Sequence, residues 1–433
     1  MLDLQFIREN PDLVKEKSAQ KNIDVDVGQI LGFDKQRRDI LSEVESKRRE
    51  RNQLNEEIKR SNERPTGEIV EKGKNLKHEV VDLEHKLDAL DLQLTELLKK
   101  VPNMPLEEVP VGSSEDQNIS IEKVGDLRQY DFQPKSHIEI GESKGWIDKK
   151  RAAKVAGARF VYLKGDLVRM EMALMQFGVK RLTDSEFINK VIIKYQLNVD
   201  NRPFVPVYPP AVAKTEIYEA TARLDKEETT YKLAEDDLWL NASAEHTLVP
   251  MHQGEVFDVD DLPARYVGFT TAFRREAGSY GKDTEGIIRL HQFNKLEMES
   301  FTTKESGYEE HKLMIGLQRE LMEELEIPYE LIQKCTADIG GPNASGWDIN
   351  AWMAGQGTYR ETHTADYMTD YQARRLKTRY RDKNKKINFV HTNDATAFSQ
   401  RPLIAIIENN QTPEGDVIIP HVLREYMGGR EKI

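Results

Sequence analysis

The chain has 433 residues, a mass of 49.9 kDa and a formal charge of −12, with 38% hydrophobic and 32% charged residues. That apolar content supports a real core and excludes a disordered tail or a collagen-like repeat, and the length suits two or three domains. The acidic balance argues against a protein that coats DNA or RNA non-specifically, yet leaves room for a local basic stripe.

One cysteine, Cys335, excludes an internal disulfide framework and a cysteine-based zinc cluster, and implies a reducing compartment. The N-terminus lacks a basic and apolar leader, and no apolar run approaches the roughly 18–20 residues of a membrane span. A cytoplasmic protein without a membrane partner is expected.

Along the chain, Ile69, Gly73, Leu76, Val80, Leu83, Leu87, Leu90, Leu94 and Leu97 alternate by four and three. Such spacing draws one apolar seam along a helix and asks for a partner helix. Phe33, Ile40, Val44, Leu54 and Ile58 form a second register, interrupted by Arg37, Lys47 and Arg51. Pro65 and Gly67 punctuate the junction, so an antiparallel hairpin is expected over about 31–100. This arm has 16 basic and 16 acidic residues, but segment 47–64 has 7 basic against 4 acidic. The basic set is Lys47, Arg48, Arg49, Arg51, Lys59, Arg60 and Arg64. It reads either as a solvated coiled-coil surface or as a strip that tracks phosphates.

Three regions follow: 1–105 with the arm, a Glu/Asp/Pro-rich linker over 106–135, and a mixed region from 136 to 433. Strands are predicted at Phe160–Leu163, Phe204–Tyr208, Arg265–Phe273, Gly286–Met298, Trp347–Met353 and Leu403–Ile407, and a helix over Asp166–Phe177. The class is α+β: a coiled-coil hairpin plus a mostly antiparallel sheet flanked by helices.

No Walker or Rossmann glycine pattern occurs. The informative segment is Phe273 to Met298. Arg274 and Glu276 lie two residues apart, and Arg289, Phe293 and Glu297 share parity on the returning run. An arginine fork can neutralise phosphate, an aromatic face can stack on a base, and a carboxylate can accept from an ammonium. A surface salt-bridge ladder on a hairpin fits the same residues.

This segment resembles motif 2 of class II aminoacyl-tRNA synthetases, and the chain as a whole resembles the seryl-tRNA synthetase family. The likeness extends over Met1–Glu16, the hairpin, Val109–Gly112, Gly157–Arg169, Val207–Pro210 (motif 1), Gly355–Glu361, Asp370–Arg375 and Arg401–Gly429 (motif 3). It implies an ATP-dependent ligase that makes seryl-adenylate from L-serine and transfers it to the 3′ end of tRNA(Ser), releasing AMP and diphosphate. The selenocysteine tRNA is a further acceptor in that reading. The resemblance also implies a homodimer joined near motif 1, Mg²⁺ at the nucleotide, and an arm that grips the tRNA.

By the same resemblance, Arg274, Arg401 and Glu361 are the catalytic residues. The ATP set is Arg274, Arg275, Glu276, Arg289, Phe293, Glu361, Thr362, His363, Thr364 and Arg401. The serine set is Ser243, Ala244, Glu245, Arg274, Glu297, Asn393, Ala395 and Thr396. Glu361 and Thr364 are the expected Mg²⁺ ligands. The chain departs from the family pattern at Ser243, Asn350, Thr362–Thr364 and Asp394–Thr396, where Ala395 takes the slot of a serine-binding hydroxyl. Two other readings remain: an amino-acid-activating paralogue that charges a carrier protein, and an inactive synthetase-like tRNA-binding protein. The full arm speaks against the first, and the polar site residues against the second.

Overall fold

The computed structural model describes residues 1–61, 65–224, 230–276 and 286–433. The chain forms two compact units, Met1–Met104 and Pro105–Ile433. No helix among the described residues is long and apolar enough to cross a membrane.

In the first unit, Asp3 caps α1 (Leu4–Glu9) by accepting from the Gln5 and Phe6 amides, and Pro11 opens α2 (Pro11–Gln20). The hairpin is α3 (Val27–Ser61) and α4 (Gly67–Lys100), each about 50 Å long at 1.5 Å per residue. Leu76, Val80, Leu90 and Leu94 are buried on the expected seam. At the end of α4, burial passes to Leu98 instead of Leu97. A 3.6-residue helix drifts against a 3.5-residue repeat, so a straight seam slips by a position.

Two of the charged interruptions of the α3 seam, Arg37 and Lys47, find partners across the hairpin, as does neighbouring Arg48. Arg37 meets Asp91 at 2.5 Å, Lys47 meets Glu79 at 2.7 Å, and Arg48 meets Glu84. From the other helix, Lys72 meets Glu50 at 3.3 Å. These pairs are solvent-facing and each adds little stability, but they favour the antiparallel register.

The second unit is built on an eight-stranded sheet. Its strands are β1 (Ile119–Val124), β2 (Val205–Val207), β3 (Ala264–Phe273), β4 (Gln292–Thr302), β5 (Tyr329–Gln333), β6 (Ser345–Met353), β7 (Thr358–Thr369) and β8 (His391–Phe398). The order is β1-β5-β6-β7-β8-β4-β3-β2, and every pairing is antiparallel except β2 with β3. Helices α5 (Asp166–Leu182), α7 (Gly307–Glu324) and α8 (Gln400–Asn409) cover one face, with the short α6 (Glu245–Leu248) against the other. The covered face carries Leu296, Met298, Ile349, Ala365, Ala395 and Ala397, all fully buried. Close packing depends on Gly178 of α5: a Cβ there would lie 2.7 Å from Leu296 and 2.8 Å from Phe398.

Three sequence expectations need correcting. The run Leu403–Ile407 is helix, inside α8, where each of its residues is fully buried and Ser399 caps the first turn. A short apolar run buried all round has no periodicity to distinguish strand from helix. The strand expected from Gly286 begins only at Gln292; residues 286–290 bend away beyond the Arg274 amide bond to His291 O. The stretch 106–135, expected as a linker, supplies β1 at the sheet edge, paired with β5. Tyr130 and Arg128 also donate to the Asn409 carbonyl at 2.8 and 3.0 Å.

A buried ion pair ties β3 to α7. Arg265 places Nε 2.5 Å and Nη2 2.8 Å from the Glu310 carboxylate, and its remaining donors serve the carbonyls of Asp200 and Arg202. Both side chains are shut off from water. Removing one partner strands the other charge in a medium that cannot solvate it. Glu310→Ala is expected to lose about 3–5 kcal/mol of unfolding free energy, measured by urea titration. A loss below about 1 kcal/mol would show that the carbonyls alone satisfy the guanidinium.

Candidate active site

Strand alternation gives the sheet its second, polar face. On β4 the side chains of Lys295, Glu297 and Glu299 lie opposite Leu296 and Met298. Across from them on β8 stand Thr396, paired with Glu297, and Asp394, paired with Glu299; Asp366 of β7 pairs with Asp394. Gly268 of β3 pairs with Glu297, and a Cβ there would sit 2.8 Å from Leu248 and 3.3 Å from Ala244. That bare backbone lets α6 lie close to the sheet, which sets Glu245 above the polar face.

One cavity gathers much of the expected nucleotide set: Arg274, Glu276, Arg289, Phe293, Glu361, Thr362, Thr364 and Arg401. Arg274 follows directly on β3. Its Nε donates to Ala242 O at 3.2 Å, and its guanidinium lies 5.3 Å from the Phe293 ring centroid. Glu276, in the left-handed region at φ 51°, accepts from Arg289 at 3.2 Å. Arg401, in the first turn of α8, donates at 2.9 Å to both the backbone carbonyl and the carboxylate of Glu361. Burial works against the Glu361 charge, but Arg401, then Lys334, Arg274 and Arg289, holds its carboxyl below the usual range. Half of the Glu361 side chain is open to solvent.

Beside this cavity lies a smaller, drier constellation. Arg223 spans Glu245 at 2.9 Å and Asp394 at 2.8 Å. Lys295 reaches Glu297 at 2.6 Å and donates to Ser243 Oγ at 3.0 Å. Carboxylate oxygens of Glu245, Glu297 and Asp394 lie within 4.8 Å of one another. Burial raises the Glu245 carboxyl, but Arg223, His246 and Lys295 outweigh it and hold the group well below its usual range. Burial pushes Glu297 up to about 7 in spite of Lys295. Burial, Glu245 and Asp366 drive Asp394 well above the carboxylate range, against the pull of Arg223. Acid groups this close cannot all ionise in a dry site.

Several expected contacts fall elsewhere. A bulge in β7 aligns Asn350 with Glu361 but Ile349 with His363, so one extra residue enters the strand. Glu361, Thr362 and Thr364 reach the cavity, whereas His363 turns into the core, bonded to Thr362 Oγ1 at 2.8 Å and Ala397 O at 3.0 Å. Burial holds its imidazole neutral, with a pKa near 3. Asn393 and Ala395 also face the helices: Asn393 donates to Gly307 O at 3.2 Å, and Ala395 belongs to the apolar core. Alternation places Asp394 and Thr396 on the site face instead, so Ala395 is not a serine-pocket side chain. Ala244 is buried against β3 and can offer only its backbone. Arg275 is exposed and lies off the cavity.

Arg223, Lys295, Glu299 and His246 were not singled out in the sequence, and Asp394 stood there only as a departure from the family pattern. Extending the parity of Phe293 and Glu297 to 295 and 299 would have found two of them. Arg223 comes from a distant segment with no local signal. On the arm, Lys47 and Arg48 are already paired across the hairpin, Lys59 pairs with Glu56 at 3.0 Å, and Arg49 donates to Glu45 O. No ion pair is seen for Arg51 or Arg60 among the described residues. Arg64 lies outside them, as does the motif 2 loop over 277–285.

Comparison with known proteins gives a consistent result. Residues 1–105 match the seryl-tRNA synthetase N-terminal domain, and residues 229–410 match the tRNA synthetase class II core domain (G, H, P, S and T). The serine–tRNA ligase of Nitrosopumilus maritimus is 36% identical over 437 residues, covering 100% of both chains. That of Deinococcus radiodurans is 37% identical, covering 100% of this chain and 98% of its own. Among solved structures, seryl-tRNA synthetase from Pyrococcus horikoshii complexed with ATP superposes with a TM-score of 0.87 at 36% identity, covering 100% of this chain and 99% of its own. The cytoplasmic enzyme of Naegleria fowleri in complex with AMP gives 0.83 at 27% identity, with 100% and 98% covered.

The buried acids give the protein a pH signature. Burial, with Asp394, Glu245 and Glu297 nearby, raises the Glu299 carboxyl well above its ordinary value. The folded chain then holds a proton that the unfolded chain has released, so this residue costs stability increasingly as pH rises above the ordinary glutamate range. In thermal melts from about pH 5 to about pH 8, the difference between Glu299→Gln and the parent chain is expected to widen in the variant's favour. A difference that stays constant would mean that Glu299 ionises normally.

Proposed function

The chain belongs to the seryl-tRNA synthetase family of class II ligases, and we propose that its arginine-lined cavity and the buried acidic constellation beside it together carry out serine–tRNA ligation. The observation that carries the assignment is the convergence of Arg274, Arg289, Arg401, Glu361 and Phe293 on one cavity beside buried Glu297. ATP sits with its adenine against Phe293, and Arg289 and Arg401 neutralise the outer phosphates. Arg274 reaches the α-phosphate. Glu297 receives the ammonium of L-serine, Glu245 and Thr396 flank the hydroxyl, and Ser243 acts by holding Lys295.

A serine carboxylate oxygen attacks the α-phosphorus, the new O–P bond forms, and pyrophosphate leaves with the electrons of the bond it breaks. No protein nucleophile is needed; positioning and fixed positive charge do the work. The terminal ribose hydroxyl of tRNA(Ser) then attacks the adenylate carbonyl, and AMP departs. Glu361 and Thr364 form an all-oxygen donor set on one strand face, which suits Mg²⁺. When bound, that ion supplies charge neutralisation at the phosphates. The selenocysteine tRNA enters by the same route in this reading, and the reaction belongs to the cytoplasm.

The N-terminal unit, 1–105, is the tRNA-gripping part and 136–433 the catalytic part. Dimerisation through the motif 1 region is supported by exposed apolar side chains there: Val205, Tyr208 and Met172, with Tyr208 87% exposed beside Phe269. Arg274→Ala is expected to lower serine-dependent ATP–pyrophosphate exchange by about 10²–10³-fold while the chain still sediments as a dimer. Exchange near the parent rate would remove Arg274 from the chemistry.

The arm makes a separate prediction. Reversing Arg51 and Arg60 to glutamate is expected to raise KM for tRNA by about tenfold or more, because phosphate contacts dominate such affinity. Exchange without tRNA should be unaltered. An unchanged KM would leave the arm as a structural coiled coil.

A further inference from the structure

With serine in place, the amino-acid pocket still holds acidic oxygens that serine does not reach. One ammonium satisfies Glu297, and a hydroxyl satisfies Glu245. Both oxygens of Glu299 and the Oδ1 of Asp394 stay buried with no hydrogen-bond donor. The two residues stand directly opposite each other on β4 and β8. Asp394 is joined to the ammonium site, because its carboxylate lies within 4.8 Å of both Glu297 and Glu245. Buried acceptors without donors cost stability and ask for a ligand that supplies them.

We propose that this pocket takes a small α-amino acid with a second ammonium on its β-carbon, Asp394 and Glu299 receiving that group. The inference rests on the ligase reading above and narrows its substrate. Such a ligand places its α-ammonium on Glu297 and its second ammonium one carbon away, on the side of Asp394. A divalent cation is disfavoured there, since it asks for several carboxylates at once, whereas Arg223 and Lys295 leave single oxygens of Asp394 and Glu297 open, each enough for one ammonium N–H. A site that must fill buried acceptors selects strongly for the ligand that carries the donors. The activation step is the same as for serine: a carboxylate oxygen bonds to the α-phosphorus of ATP and pyrophosphate leaves with the electron pair.

The test is ATP–pyrophosphate exchange by the full chain with L-2,3-diaminopropionate, L-serine and L-alanine. The expected result is a kcat/KM for diaminopropionate of at least about one-tenth that for serine, with alanine far below both. In Glu299→Gln the ratio of diaminopropionate to serine should fall at least about tenfold. Asp394→Asn is the second variant should the first fail to fold. Exchange with serine but not with diaminopropionate, or a ratio unmoved by either substitution, overturns the proposal and leaves the ligase reading standing. It would mean that Glu299 and Asp394 merely share protons. Exchange with none of the three overturns the ligase reading itself.

Discussion

The second unit depends on one constraint: a sheet whose strands must be apolar on one side and charged on the other, both sides dry. On β4 this is visible residue by residue, where Leu296 and Met298 pack under helices while Lys295, Glu297 and Glu299 meet Thr396 and Asp394 above. Burying acids is unfavourable, and two measures contain the cost. Arg223 and Lys295 neutralise part of the charge, and shared protonation removes more of it. Both leave the pocket poised for a cation that arrives from outside.

The arginine-lined cavity uses the opposite electrostatics. Its arginines come from the ends of elements: Arg274 after β3, Arg289 before β4, and Arg401 at the start of α8. Chain ends can aim several cations at one point without lining them up along a strand. In the proposed reading the acidic side suits an ammonium and the basic side a phosphate, so a negatively charged nucleotide and an amino acid are sorted before any specific contact forms.

The arm and the motif 2 residues were legible because their signals are local and periodic. The heptad seam needs only leucine spacing, and Arg274, Arg289, Phe293 and Glu361 stand within short motifs. What the sequence concealed was non-local or out of phase. Arg223 joins Asp394 across 171 residues. His363 and Glu361 have the same parity yet point to opposite faces, because the β7 bulge breaks the alternation between them. Ala395 looked like a pocket residue by motif position, and Asp394 and Thr396 replaced it once the strand's facing was known. The apolar run in α8 misled for a different reason: full burial removes the amphipathic pattern from which helices are recognised.

That bulge also sets how the chain can vary over generations. Replacing a side chain near Thr362 alters one contact. Losing the extra residue would leave Glu361 and His363 on opposite faces by plain alternation, so that change is absorbed. Gaining one more would force a second extra residue into the strand or turn one of the two to the wrong face. Descendants of this gene should therefore tolerate a shorter segment at 358–364 more readily than a longer one, even where they no longer agree on the residues.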